Sequence, residues 1–102
     1  MKLVGVCACT SGIAHTYMAK EKLVKAAQSL GHEIHVETQG TIGVEDELTP
    51  EEIAEADAVI LAVDIKIDHS RFEGKRVMEV PTSVVLKAPK QIINKIEESL
   101  NA

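Results

Sequence analysis

The run Ala58-Val59-Ile60-Leu61-Ala62-Val63 constrains the fold of this chain more than any other stretch. An unbroken apolar run of that length reads as a strand buried on both faces, the kind found inside a parallel sheet. Lys2 to Cys7 reads the same way. Glu33 to Thr38 alternates and reads as another strand, and Arg76 to Val80 as a fourth, ended by Pro81. Between these runs the period turns helical. From Ile13 to Leu30, the residues Ala19, Leu23, Ala26 and Leu30 share one face, and Gly31 stops the helix. Thr49-Pro50-Glu51-Glu52 starts a second, short helix that ends near Ala56. Thr49 caps it, Pro50 suits the first helical position, and Glu52 completes a capping box. Gln39 to Leu48 reads as a glycine-containing loop. Asp64 to Lys75 reads as a polar connection with one helical turn near Arg71-Phe72. From Ser83 to Leu100 the pattern is a helix or pair of helices interrupted at Pro89.

Strands that alternate with helices imply an α/β fold. The expectation is a three-layer α/β/α sandwich around a four-stranded parallel sheet, Rossmann-like, with residues 1–102 forming one domain. At 45% hydrophobic but 2% aromatic, the core must be aliphatic. In such sheets ligands bind beyond the carboxyl ends of the strands. The loops beginning near Cys9, Gln39, Asp64 and Pro81 are therefore predicted to ring one site.

The formal charge of −5 argues against nucleic-acid binding, which favours a basic stripe. No apolar run approaches the roughly 20 residues needed to insert in a bilayer. Met1-Lys2 leads straight into a strand pattern with no signal peptide, so a cytoplasmic location is expected. Cys7 and Cys9, one residue apart, make poor disulfide partners.

Cys9 is the candidate nucleophile. It falls in a small-residue loop that opens into the first helical pattern, where free backbone N–H groups and a partial positive charge favour anions and lower a thiol's pKa. Thr10, Ser11, Gly12, Ile13 and Ala14 follow, with room for backbone N–H groups to turn toward a bound phosphate. Thr10, Ser11 and Thr16 add hydroxyl donors. A thiolate at Cys9 can attack phosphorus in line while these donors hold the equatorial oxygens, with no metal or organic cofactor required. The bland alternative for either cysteine is a small buried hydrophobe. Strand alternation favours that reading for Cys7.

Other chemistries fit less well. Both GxGxxG and GxxxxGK[ST] are missing. A zinc site from Cys7, Cys9 and His15 has short spacing and no second ligand pair. A dithiol redox site favours C-x-x-C. Low-molecular-weight tyrosine phosphatases use a cysteine, five residues, then arginine and Ser or Thr. Here His15 and Thr16 follow at that spacing, so the arginine fork is replaced by histidine, and no Asp-Pro pair supplies that family's general acid. A loop that holds phosphate without the means to hydrolyse it suits a carrier.

The segment Ala8-Cys9-Thr10-Ser11-Gly12-Ile13-Ala14-His15-Thr16 resembles the active-site loop of fructose-type enzyme IIB of the bacterial phosphoenolpyruvate-dependent sugar phosphotransferase system. The resemblance continues in Val36 to Gly43, Glu47-Leu48-Thr49, Ala56 to Ala62 with Asp64, and Arg71-Phe72-Glu73-Gly74-Lys75. It implies a four-stranded parallel sheet and a phosphoryl carrier. Such a carrier takes phosphate from a phosphohistidine of enzyme IIA onto the cysteine matching Cys9. It delivers it to sugar, with fructose as the family default over mannose or another hexose, bound in the membrane component enzyme IIC. The family often has proline after the cysteine, where this chain has Thr10 and so an extra N–H. Two rivals remain: a small cysteine phosphatase, and a regulatory module that docks a partner by its phosphorylation state without passing phosphate on.

Around the loop, His15 is expected either to bond the phosphate or to orient the loop, the alternative being a helix-face histidine. Gln39 and Gly40 either approach the loop or serve a turn. Asp64, with Gln39 and Gly40, is a candidate for the site rim; Asp64 and Asp68 otherwise read as partner contacts or, more readily, as solvated loop acids, Glu45-Asp46-Glu47 as a solvated acidic edge, and His32, His35 and His69 as exposed or strand-face residues.

Overall fold

The computed structural model describes residues 2–8, 13–40 and 43–101, with the backbone alone for Ile13, Ala14, His15 and Asn101. Its elements run β1 (Lys2–Ala8), α1 (Ile13–Ser29), β2 (Glu33–Gly40), β3 (Gly43–Glu45), α2 (Pro50–Glu55) and β4 (Ala58–Val63). A 3₁₀ turn at Ser70–Phe72 leads to β5 (Val77–Val80), α3 (Thr82–Lys87) and α4 (Pro89–Asn101). The described strands form one sheet in the order β3-β2-β1-β4-β5.

The all-apolar β4 is buried along its whole length, as its sequence demands. It pairs in parallel with β1 and with β5, and β1 pairs in parallel with β2. These four strands are the four expected. The fifth corrects the expectation of an all-parallel sheet: β2 runs on to Gly40, turns back and pairs antiparallel with β3, where a loop was expected. Three residues with a single large apolar side chain, Val44, offer no periodicity to read, and a hairpin edge needs only backbone pairing. Gly43, at φ 106, supplies the backbone conformation that the return requires.

Side chains of β1 alternate between two cores. Leu3 and Cys7 join Leu23, Ala26, Ala27, Val85, Ile92, Ile93 and Ile96 under α1, α3 and α4. Val4, Val6 and Ala8 join Leu48, Ile53, Ala56, Phe72 and alternate residues of β4 under α2 and the 3₁₀ turn. The layers are therefore α/β/α. Cys7 is fully buried, which gives it the packing role that alternation favours. Gly31, at φ 82, ends α1 with the N–H of His32 on the carbonyl of Ala27 and its own N–H on that of Gln28. The Thr49–Glu52 capping box forms as read, with reciprocal bonds of 3.0 and 3.1 Å.

Candidate functional site

The strand order places the crevice. The chain leaves β1 toward β2 on one side, and later crosses to β4 on the other, so connections diverge at the carboxyl ends of β1 and β4. In open α/β sheets that divergence is where ligands bind. Ala8 ends β1, and residue 13 begins α1. The predicted phosphate loop spans the interval: Cys9, Thr10, Ser11 and Gly12 lie outside the described residues. Ile13, Ala14 and His15 form the first turn of α1, their side chains outside what is described. Thr16, one residue on, is buried at 3% exposure.

Two rim residues are held against the end of β1. Asp64 follows β4, and its N–H donates to the Ala8 carbonyl at 2.9 Å. Its carboxylate accepts from the N–H of Thr82 at 3.0 Å and from the Thr82 hydroxyl at 2.6 Å. Asp64 is thus a solvent-exposed acid, as one reading had it, that also straps β4 to the start of α3. Gln39 sits beside Ala8 in the β1–β2 register. Its side-chain amide donates to Glu37 Oε2 at 2.7 Å. Gly40, the last residue of β2, pairs with Gly43 and so serves the turn.

The polar centre beneath this edge was not anticipated. Glu37 is completely buried, although strand alternation put it on a polar face. Arg71, from the 3₁₀ turn, donates to both its oxygens at 2.9 Å. The Leu48 N–H donates to Oε1 at 3.0 Å, and Gln39 completes the set. Burial pushes the Glu37 carboxyl up, but the bonds from Arg71, Gln39 and Leu48 and the charge of Arg71 together hold it below its ordinary value. The Arg71 guanidinium also lies 5.0 Å from the Phe72 ring centroid. The one available signal was a lone arginine beside the lone phenylalanine in an otherwise polar connection. Sequence spacing alone does not join it to an acid 34 residues earlier.

Other acids and histidines are more engaged than expected. In the segment read as a solvated acidic edge, Glu45 accepts from the Tyr17 hydroxyl and Asp46 pairs with Lys20, tying the β2–β3 hairpin to α1. The Tyr17 phenol is raised by the Glu45 bond, by burial and by the nearby negative charges. His35 pairs with Glu52, His69 with Glu79 at 3.1 Å and His32 with Glu97 at 3.5 Å. Asp68 accepts from the Ser70 N–H at 2.9 Å, starting the 3₁₀ turn. Among the described residues no cluster of three or more His, Cys, Asp or Glu is placed to hold a metal ion. None of their helices is long and apolar enough to cross a membrane.

Comparison with known proteins agrees with this geometry. The family model described as "PTS system, Lactose/Cellobiose specific IIB subunit" matches residues 4–95. The chain is 51% identical over 100 residues to the "PTS system fructose-like EIIB component 2" of Escherichia coli, covering 97% of this chain and 94% of that protein. It is 45% identical over 94 residues to the "PTS system fructose-specific EIIABC component" of Bacillus subtilis, covering 92% of this chain and 15% of that longer protein. The crystal structure of a domain from the fructose-specific IIABC component of Borrelia burgdorferi superposes with a TM-score of 0.90. It shares 51% identity, over 98% of this chain and 93% of that one.

Proposed function

Because the chain belongs to the IIB family of the phosphotransferase system, whose members are phosphotransferase components of sugar import, we propose that it relays a phosphoryl group through Cys9. The observation that carries the reading is where β1 ends and α1 begins. Ala8 closes β1 and Ile13 opens α1 where the strand connections diverge, with Asp64 and Gln39 beside Ala8. A phosphate there meets the N-terminal end of a 17-residue helix.

In the first transfer, the Cys9 thiolate attacks phosphorus on a phosphohistidine of enzyme IIA. The S–P bond forms as the P–N bond breaks, and the imidazole leaves with the bonding pair. In the second, a sugar hydroxyl attacks the same phosphorus, the O–P bond forms as the hydroxyl proton is given up to solvent, the S–P bond breaks with its pair returning to sulfur, and the thiolate is regenerated. Backbone N–H groups of Thr10, Ser11, Gly12, Ile13 and Ala14, with the Thr10, Ser11 and Thr16 hydroxyls and His15, serve to hold the oxygens. No cofactor enters either step. Asp64 and Gln39 act as rim by fixing the strand ends that carry the loop, and Gly40 borders them at the β2–β3 turn.

Residues 1–102 act as one IIB domain at the cytoplasmic side of the membrane component enzyme IIC, which presents the sugar. Fructose is favoured because the relatives' names specify it, and a IIABC relative joins the corresponding components in one protein. The test is phosphorylation by enzyme IIA charged through the upstream enzymes, with peptide mapping of the product. Wild-type protein should carry one acid- and base-distinguishable phosphate on the Cys9 peptide, and Cys9→Ser should carry none. Normal phosphorylation of Cys9→Ser would overturn the mechanism.

A further inference from the structure

Remote from the phosphate loop, a cavity of about 510 Å³ opens between the second half of α1 and the α3–α4 junction. Four lysines line it, Lys22 and Lys25 from α1 and Lys87 and Lys90 from the junction, over an apolar floor that includes Ala26 and Pro89. The chain carries eleven lysines and arginines against sixteen acids, so gathering four cations at one concavity runs against its overall charge. Elsewhere Lys2 pairs with Glu55, Lys20 with Asp46 and Arg71 with Glu37, while Lys66, Lys75, Arg76 and Lys95 have no ion-pair partner among the described residues. Here Lys25 alone pairs, with Glu21 at 2.9 Å. Lys22, Lys87 and Lys90 have no ion-pair partner among the described residues.

Four ammonium groups gathered with Glu21 as the one acid paired to them among the described residues still repel, and a bound polyanion would relieve that repulsion. We propose that this cavity is a binding site for a small organic polyphosphate, of the size and chemistry of a nucleoside diphosphate. Ammonium groups act as point charges on phosphate oxygens, and the apolar floor takes the uncharged body of the ligand. The volume lies within the range of small-ligand pockets, roughly 300–1,000 Å³. The concave arrangement favours a small ligand over a flat anionic surface. Ala26 lies 13 residues beyond the start of α1, about 20 Å along the helix axis. The site is therefore separate from the loop of Cys9 and does not depend on the phosphate relay.

The test uses the full chain at low ionic strength, titrated with adenosine diphosphate and with pyrophosphate while backbone amide resonances are followed. Saturable shifts should appear at residues 22–29 and 87–91. K87Q/K90Q should weaken binding at least tenfold while its melting temperature stays within about 3 °C of wild type, because the repulsion removed offsets the loss of Lys87 from the last turn of α3. Lys95→Gln, on the same helix but outside the cavity, should bind as wild type. Shifts confined to residues 8–16, or undiminished affinity in K87Q/K90Q, would overturn the proposal. Binding to phosphatidylglycerol vesicles without saturable binding of either free phosphate compound would assign the lysines to a membrane surface and overturn it equally.

Discussion

Arg71→Met should destabilise the fold far more than loss of an ordinary surface arginine. The substitution keeps the aliphatic stem and removes the guanidinium. Glu37, at 1% side-chain exposure, would lose both 2.9 Å bonds and its one charge partner among the described residues while keeping the Leu48 and Gln39 donors. Removing one member of a buried ion pair costs about 3–5 kcal/mol. The two surviving donors and the 30% exposure of the Arg71 side chain, which lets water reach the vacated position, place the loss near the lower end, about 3 kcal/mol. At about 5 °C per kcal/mol for a domain of this size, the melting temperature should fall by about 15 °C. Urea unfolding followed by circular dichroism measures it. The double variant E37Q/R71M should recover at least about 1.5 kcal/mol of the loss, because no charge is left buried. A loss below about 1 kcal/mol in the single variant, or no recovery in the double, would refute the argument.

The pH dependence supplies a sign that a packing defect cannot imitate. In the wild type the Glu37 carboxyl is depressed despite its burial, so the native state binds fewer protons there than the unfolded chain. Its contribution is fully present above the ordinary carboxylate range and is lost as the pH falls through the depressed value. In Arg71→Met the Gln39 and Leu48 bonds remain, but the bonds and charge of the guanidinium are gone, so the carboxyl rises from its wild-type position. The variant's native state then binds more protons than the wild type's, so the stability gap between them should narrow as the pH falls through the ordinary carboxylate range. A gap between the two proteins that stays constant over that interval would show that Glu37 is not the group responsible.

Much of the fold was legible because it is written in local chemistry. The Ala58–Val63 run, the Thr49 capping box, the Gly31 stop and the break at Pro89 each act over a few residues, and each element forms where its signal lies. The β3 hairpin was illegible because an edge strand needs neither a buried face nor a repeating pattern. The Glu37–Arg71 pair was illegible for another reason. Strand alternation assigns an acid to solvent unless something covers it, and the cover here comes from the 3₁₀ turn and Leu48, which only the folded chain brings near. The predicted phosphate loop was placed between the first strand and the first helix by residue types and periodicity together. What the fold adds is that Ala8 ends β1 and Ile13 opens α1 at the point where strand connections diverge.

Gly5→Ala should lose about 1–3 kcal/mol in the same unfolding assay, because the added methyl would sit 3.2 Å from the Ile60 carbonyl oxygen and 3.5 Å from Val36 in the middle of the sheet. A loss under about 0.5 kcal/mol would mean that the strands shift freely there. Asp64→Ala removes both bonds to Thr82 and should cost about 1–2 kcal/mol, with faster amide exchange at Thr82 than at the strand centres. Unchanged exchange at Thr82 would deny it the role of strap. The last prediction concerns water. The chain has two arginines. Both terminal nitrogens of Arg71 are bound to Glu37. Arg76 precedes β5, its carbonyl accepting from Val59, and so stands at the amino edge of the sheet, about 13 Å of strand from the carboxyl edge. Neither guanidinium is placed to form the fork by which cysteine phosphatases discharge their intermediate, and His15 has a different donor geometry at the matching position. Hydrolysis of para-nitrophenyl phosphate should therefore not exceed that of Cys9→Ala. Turnover abolished by that substitution would require a third source of transition-state charge and would favour a hydrolase over a relay.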